Sequence, residues 1–180
     1  MARVRATGGS IFKRLVEPYL KRAARTGGNF RGVLDKQIYS VPNVKVIRRF
    51  RYTKRSRREA RRLRRQFNRR ERKNFLQGLD VADLRAHGFT QPEINLIQKG
   101  KVPDGYEVHH KAPLDDSGTN ARSNLILIRN SPEHQLITNH QRWATEGLAP
   151  GQSRVISWPL FPSKTWVWPP HKSITTTILP

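Results

Sequence analysis

The sequence predicts an α+β fold, and three observations carry that expectation. From Glu107 to His140 the pattern reads strand, loop, strand, helix. Residues 51–77 contain neither Pro nor Gly and are rich in helix formers. Beyond Gly147, tryptophans alternate with prolines, a composition that favours extended chain. The expected organisation is therefore a basic, largely helical extension over residues 1–78, a core over 79–147, and a Pro/Trp-rich extended tail over 148–180.

Taken in order, residues 10–24 read as an amphipathic helix. Ile11, Phe12, Leu15, Val16, Tyr19 and Leu20 recur at helical spacing, and Gly27-Gly28 stops the run. Docking over the core is the expected role; the basic opposite face also suits a membrane surface. Residues 29–50 hold short β-branched stretches interrupted by Pro42, the pattern of extended chain or an edge strand. Between Lys45 and Lys73 arginine dominates, opposed only by Glu59 and Glu71, and Leu63, Phe67, Phe75 and Leu76 give a thin apolar stripe. Like charges at i,i+4 repel, so such a helix gains most when phosphates neutralise it. Arg57, Arg58, Arg61, Arg62, Arg64 and Arg65 are its expected nucleic-acid contacts, with Lys111.

Asp80 to Gly88 predicts a short capped helix, with His87 in a structural place at its basic end. Thr90-Gln91-Pro92-Glu93 is a capping box that opens another helix, ending near Gly100. In the tail, Trp158, Trp166 and Trp168 either wrap over the core, stack on bases or meet a protein partner.

Composition narrows the function. The chain has 180 residues and 35 Lys and Arg against 13 Asp and Glu, a net charge of +22. Charge of that size favours a polyanionic partner, nucleic acid first and an anionic membrane surface second. Cysteine is absent, which excludes disulfides and thiolate metal sites. No run of about 18 apolar residues predicts a membrane span. The basic N-terminus lacks the apolar stretch of a standard secretory signal. The expected site of action is a cytosol, the producer's own or that of another cell.

The chemistry concentrates in one segment. Four of the six histidines fall between His109 and His140. The His109-His110 pair is followed by Asn124 after thirteen intervening residues, His134 after nine more, and His140 after five more. Adjacent strand residues point to opposite faces, so His109 and His110 cannot do the same job. Asp115 to Asn120 reads as a turn-forming loop, and Ser131-Pro132 as a helix start.

This constellation resembles the HNH, or ββα-metal, nuclease motif, firmly over Val102 to Gln141. The resemblance implies one divalent metal ion (Mg²⁺, Zn²⁺, Mn²⁺ or Ni²⁺), with His109 and His134 as ligands. It makes His110 the general base and Asn124 the residue that pins the loop. Colicin-type DNases carry a second helix histidine four residues after the first; here that position is Thr138. His140 is the remaining candidate, as ligand or phosphate contact. Val102 to Lys111 is similar to nuclease modules of bacterial polymorphic toxins and type VI secretion effectors, which implies delivery into a target cell and an acidic immunity protein. The competing expectation is a non-enzymatic basic binding protein, ribosome- or nucleoid-associated.

Overall fold

The computed structural model describes residues 7–162 and 164–180; the first six residues of the predicted basic extension lie outside them. The fold is α+β. Helix α1 (Gly8–Ile11) continues through a π-helical turn into α2 (Glu17–Thr26), and Gly27 ends it in the left-handed conformation. Strand β1 (Asn29–Leu34) forms a hairpin with the long β2 (Gln37–Thr53). Helix α3 (Arg57–Gln66) runs through a second π-helical turn (Phe67–Glu71) into α4 (Arg72–Gln77). Two short helices follow, α5 (Val81–Ala86) on its Asp80 cap and α6 (Gln91–Gln98) on its Thr90–Glu93 capping box.

Strand β3 (Tyr106–His110) pairs antiparallel with β4 (Leu125–Arg129), and helix α7 (Gln135–Ala144) comes next. The last strands are β5 (Ser153–Leu160), β6 (Val167–Trp168) and β7 (Thr177–Ile178). One sheet is ordered β1-β2-β5, with β7 also on β2; the other is ordered β3-β4-β6.

The three units expected from the sequence do not stand apart. Residues 29–53, expected as extended chain or an edge strand over 29–50, form a β-hairpin, and β2 pairs over its second half with β5, from the supposed tail. Pro42 is tolerated because the β1–β2 register jumps there, from Phe30↔Val41 to Asn29↔Lys45. The proline thus sits in a bulge, where no ladder N–H is needed. Trp158 and Trp168 are buried, and Trp166 is half-buried.

Two hydrophobic cores share one wall. Ile126 and Ile128 of β4 face a core built from α1, α2, β1, β2, β5 and α7. Leu125 and Leu127 face a second core with Phe67, Leu76, Leu84 and Ile97. All four side chains are essentially inaccessible, and each contributes about 1.5–3 kcal/mol by burial. The strict alternation of a strand lets four successive residues serve both cores at once. Helix α7 lies on β1: a Cβ at Gly32 would come within 3.0 Å of Leu136 Cβ, so glycine there permits the close approach. Asn139 Nδ2 also donates to the Val33 carbonyl at 3.1 Å.

Candidate active site

Strand β3 delivers its two final histidines to different neighbours. His109 faces α7, its ring 5.0 Å from that of His134 and nearly perpendicular to it. His110 faces the arginine helix, with its ring 4.6 Å from Phe67. Both histidines, with His134, line an open cavity of about 270 Å³ that also meets Arg64, Asn68, Asp115 and Thr138.

His110 is held in one tautomer. Asn120 Nδ2 donates to the Leu63 carbonyl of α3 at 2.9 Å, so its Oδ1 is the atom turned toward His110. That oxygen can only accept; His110 Nε2 must therefore carry the proton, at 2.9 Å. Nδ1 is left with its lone pair. Burial lowers the His110 pKa, the Asn120 bond opposes this, and the Arg64 charge adds to the lowering. The ring is neutral at physiological pH.

His109 is half-buried, and desolvation, then the neighbouring His134 and His110, pushes its pKa down to about 3. Its Nε2 is enclosed and has no hydrogen-bond partner among the described residues. A buried imidazole nitrogen left unpaired is costly unless something satisfies it. His134 is also lowered by burial, partly offset by Glu107, and its Nδ1 lies 3.2 Å from Asn130 Oδ1.

Asn124 sits at the start of β4 and ties both ends of the loop. Its Oδ1 accepts from the Ala112 N–H at 2.8 Å, and its Nδ2 donates to the Ala112 and Thr119 carbonyls. Gly118 lies so close to the Ala112 and Pro113 carbonyls that a Cβ would clash with both. Arg55 closes the same loop from the other side, donating to the carbonyls of Leu114 and Gly118. Asp116 is buried and accepts from the Thr53 N–H, a structural role.

An ion pair with a buried carboxylate sits at the start of helix α7. Glu133, 1 % exposed, is paired with Arg129 and accepts from Thr176 Oγ1 at 2.7 Å. Arg129 also donates to the Lys172 and Ile174 carbonyls, so the C-terminal segment clamps the residue next to His134. Ser131 is extended in backbone, and helical geometry begins after it.

His140 is not with the other three. It is buried, with Phe12, Phe30 and Trp158 around its ring, and its Nε2 donates to the Ser157 carbonyl at 2.8 Å. His140 was expected as a ligand or phosphate contact, and the structure does not bring it to the other three histidines. Six residues along a helix turn a side chain well away from the first, and here that direction is the core. Thr138, four residues after His134, lines the cavity instead. Among the described residues, no three His, Cys, Asp or Glu side chains gather into a ready metal cage.

The six arginines of α3 are all exposed but form two rows. Arg57, Arg61 and Arg64 line a second cavity of about 390 Å³ beside the histidines. Arg58, Arg62 and Arg65 lie one residue further round, outside its lining. Lys111 does not join the trench: it is half-buried, its Nζ is 5.1 Å from the Trp166 ring centroid, and burial lowers its pKa. The proline-interrupted tail put Trp166 there, which no local pattern around Lys111 signals. Asn120 was legible only as a turn former, because its two partners are 10 and 57 residues distant in sequence.

No known protein-family profile matches the chain, and no solved structure matches it. Among curated proteins, it is 40% identical over 147 residues to the "Uncharacterized protein YhhZ" of Escherichia coli (strain K12), a match covering 82% of this chain. The chain spans 36% of that relative's length, so the likeness concerns a segment of it. No described helix is long and apolar enough to cross a membrane.

Proposed function

We propose that this chain is a metal-dependent HNH endonuclease that hydrolyses phosphodiester bonds of nucleic acid, DNA in preference to RNA. The observation that carries the reading is the meeting of His109, His110, His134 and Arg64 in one open cavity beside a row of exposed arginines.

His110 has the geometry of a general base. Its Nε2 proton is committed to Asn120, its Nδ1 is free, and its neutral form dominates at physiological pH. It takes the proton of the attacking water. Asn124, Arg55 and Gly118 hold the loop that carries Asn120, and so fix the base from behind. His109 and His134 would hold one divalent ion, and the unpaired Nε2 of His109 fits that role. When bound, such an ion supplies charge neutralisation for the scissile phosphate and the leaving oxygen. Arg64, Arg61 and Arg57 hold neighbouring phosphates, contacts that position a strand without reading its sequence.

The net charge of +22 and the Val102 to Lys111 segment support a toxin module that acts in the cytosol of a target bacterium. An acidic immunity protein would then dock on the basic face with electrostatically steered association. The exposed arginines alone would also serve a non-enzymatic binding protein. Plasmid and RNA incubated with the protein across Mg²⁺, Mn²⁺, Zn²⁺ and Ni²⁺ separate the two readings. Cutting that a chelator abolishes is the expected result; binding without cutting in every metal would sink the nuclease reading.

A further inference from the structure

The histidine cavity and the arginine trench are neighbours, and two residues border both: Arg64 and Asp115. Their side chains touch each other, with Arg64 Nη2 3.3 Å from Asp115 Oδ1. The contact stands where a strand would pass from one cavity to the other. Among the described residues, Asp115 is also the only carboxylate in the lining of either cavity, which otherwise presents Lys54, Arg55, Arg57, Arg61 and the histidines.

A carboxylate in that place is not explained by stability. The bond is single and long, and the two side chains are 59% and 34% exposed. Pairs of this kind contribute little to folding. Asp115 has no other side-chain bond among the described residues, whereas Asp116 next to it is buried and hydrogen-bonded. The loop itself is held by backbone and by Arg55, not by the Asp115 carboxylate. What the carboxylate does possess is the chemistry of a phosphate: a planar or tetrahedral oxyanion that a guanidinium binds through the same N–H groups.

We propose that Asp115 occupies Arg64 as a stand-in for phosphate, and that a backbone phosphate of the substrate displaces it on binding. This deepens the nuclease reading and rests on it. The substrate class follows from the geometry. A free phosphate or a mononucleotide fills one cavity only. A polynucleotide strand seated on Arg57 and Arg61 presents further phosphates at the junction, and these compete for Arg64. Until then the Asp115 charge repels any anion that approaches the histidines without contacts in the trench. Asp115 thus acts as a specificity-determining residue for extended strands over small phosphoesters.

The test is a double-mutant cycle read by binding. Wild type, Asp115→Asn, Arg64→Gln and the double variant are titrated against a fluorescent 20-base-pair duplex, with chelator present so that no cutting occurs. Thermal melts verify that each variant is folded. Asp115→Asn should tighten binding by about five- to tenfold when Arg64 is present. In the Arg64→Gln background the same change should alter affinity by less than about twofold, because the competed-for group is gone. Inorganic phosphate should inhibit duplex binding to Asp115→Asn at lower concentration than to wild type. Equal tightening in both backgrounds means that Asp115 acts only as a diffuse charge and overturns the proposal. Unchanged affinity in Asp115→Asn overturns it too. If wild type binds no nucleic acid at all, the nuclease reading fails first and takes this inference with it, an outcome distinct from an additive cycle.

Discussion

Asn120 holds His110 through a 2.9 Å bond to Nε2 while its own amide nitrogen is anchored 2.9 Å from the Leu63 carbonyl. His110 is therefore oriented by the same helix that carries the arginines. Asn120→Ala should lower turnover by roughly 10–100-fold, a positioning loss smaller than that of the base itself. Asn120→Asp keeps the acceptor and should recover part of the rate, with the acid limb of the pH–rate profile moved upward because a carboxylate favours the imidazolium. A profile identical in Asn120→Asp and wild type would mean that Asn120 does not orient the base.

His110→Ala should reduce cutting by roughly 10²–10⁴-fold while metal and duplex binding persist. The sign of the pH dependence follows from burial, which lowers the His110 pKa. A base works in its neutral form, so activity should hold as pH falls through ~6.5 and drop only below it. Normal cutting by the variant refutes the assignment.

His109→Ala and His134→Ala should each weaken metal affinity in calorimetric titration, with partial rescue of cutting at high metal. His140 should behave differently. His140→Ala empties a site between Phe12, Phe30 and Trp158 and should cost about 2–5 kcal/mol of stability without a primary change in metal affinity. If His140→Ala weakened metal binding most, the core placement would have to be abandoned.

Acid should destabilise the fold through His140 and His109. His140 is held near 4 and His109 near 3, chiefly by burial. Below an unfolded value of ~6.5 the unfolded chain binds more protons than the folded one, so stability rises with pH across that window. It is lost progressively from about pH 6.5 toward 4 for His140, and further toward 3 for His109. In thermal melts, His140→Gln should flatten the dependence between pH 7 and 4; an unchanged slope would assign the acid sensitivity elsewhere.

Replacing Arg57, Arg61 and Arg64 by Gln should reduce the log–log salt slope of duplex binding by nearly 3, at ~0.9 per phosphate contact. The same replacement at Arg58, Arg62 and Arg65 should change it less, since only the first row lines the trench. Equal loss from both rows would mean that the nucleic acid does not follow this groove.

Local signals in the chain were strongest where one element answers to its own residues. The Thr90–Glu93 capping box, the Asp80 cap and the glycine stop at Gly27 all act within a turn or two, and each is present. Residues 29–53 were harder, because the strand character of β2 comes from β1 and β5, the latter about a hundred residues away. The segregation of His140 from His134 follows from helical rotation, but the direction it turns into depends on Phe12 and Phe30, which local spacing cannot reveal. The surroundings of Lys111 were hidden for a similar reason: Trp166 arrives from the tail.

The shared wall of β4 has a consequence for portability. The segment from Val102 to Gln141 looks in sequence like a cassette that could be lifted out and grafted. In this fold it is not self-sufficient. Ile126 and Ile128 are covered by residues from both ends of the chain, among them Phe30, Val46, Trp158 and Trp168. A fragment cut at the apparent boundaries, 79–147, would carry one face of its central strand bare. Such a fragment should aggregate, an outcome that size-exclusion chromatography of the 79–147 piece would check.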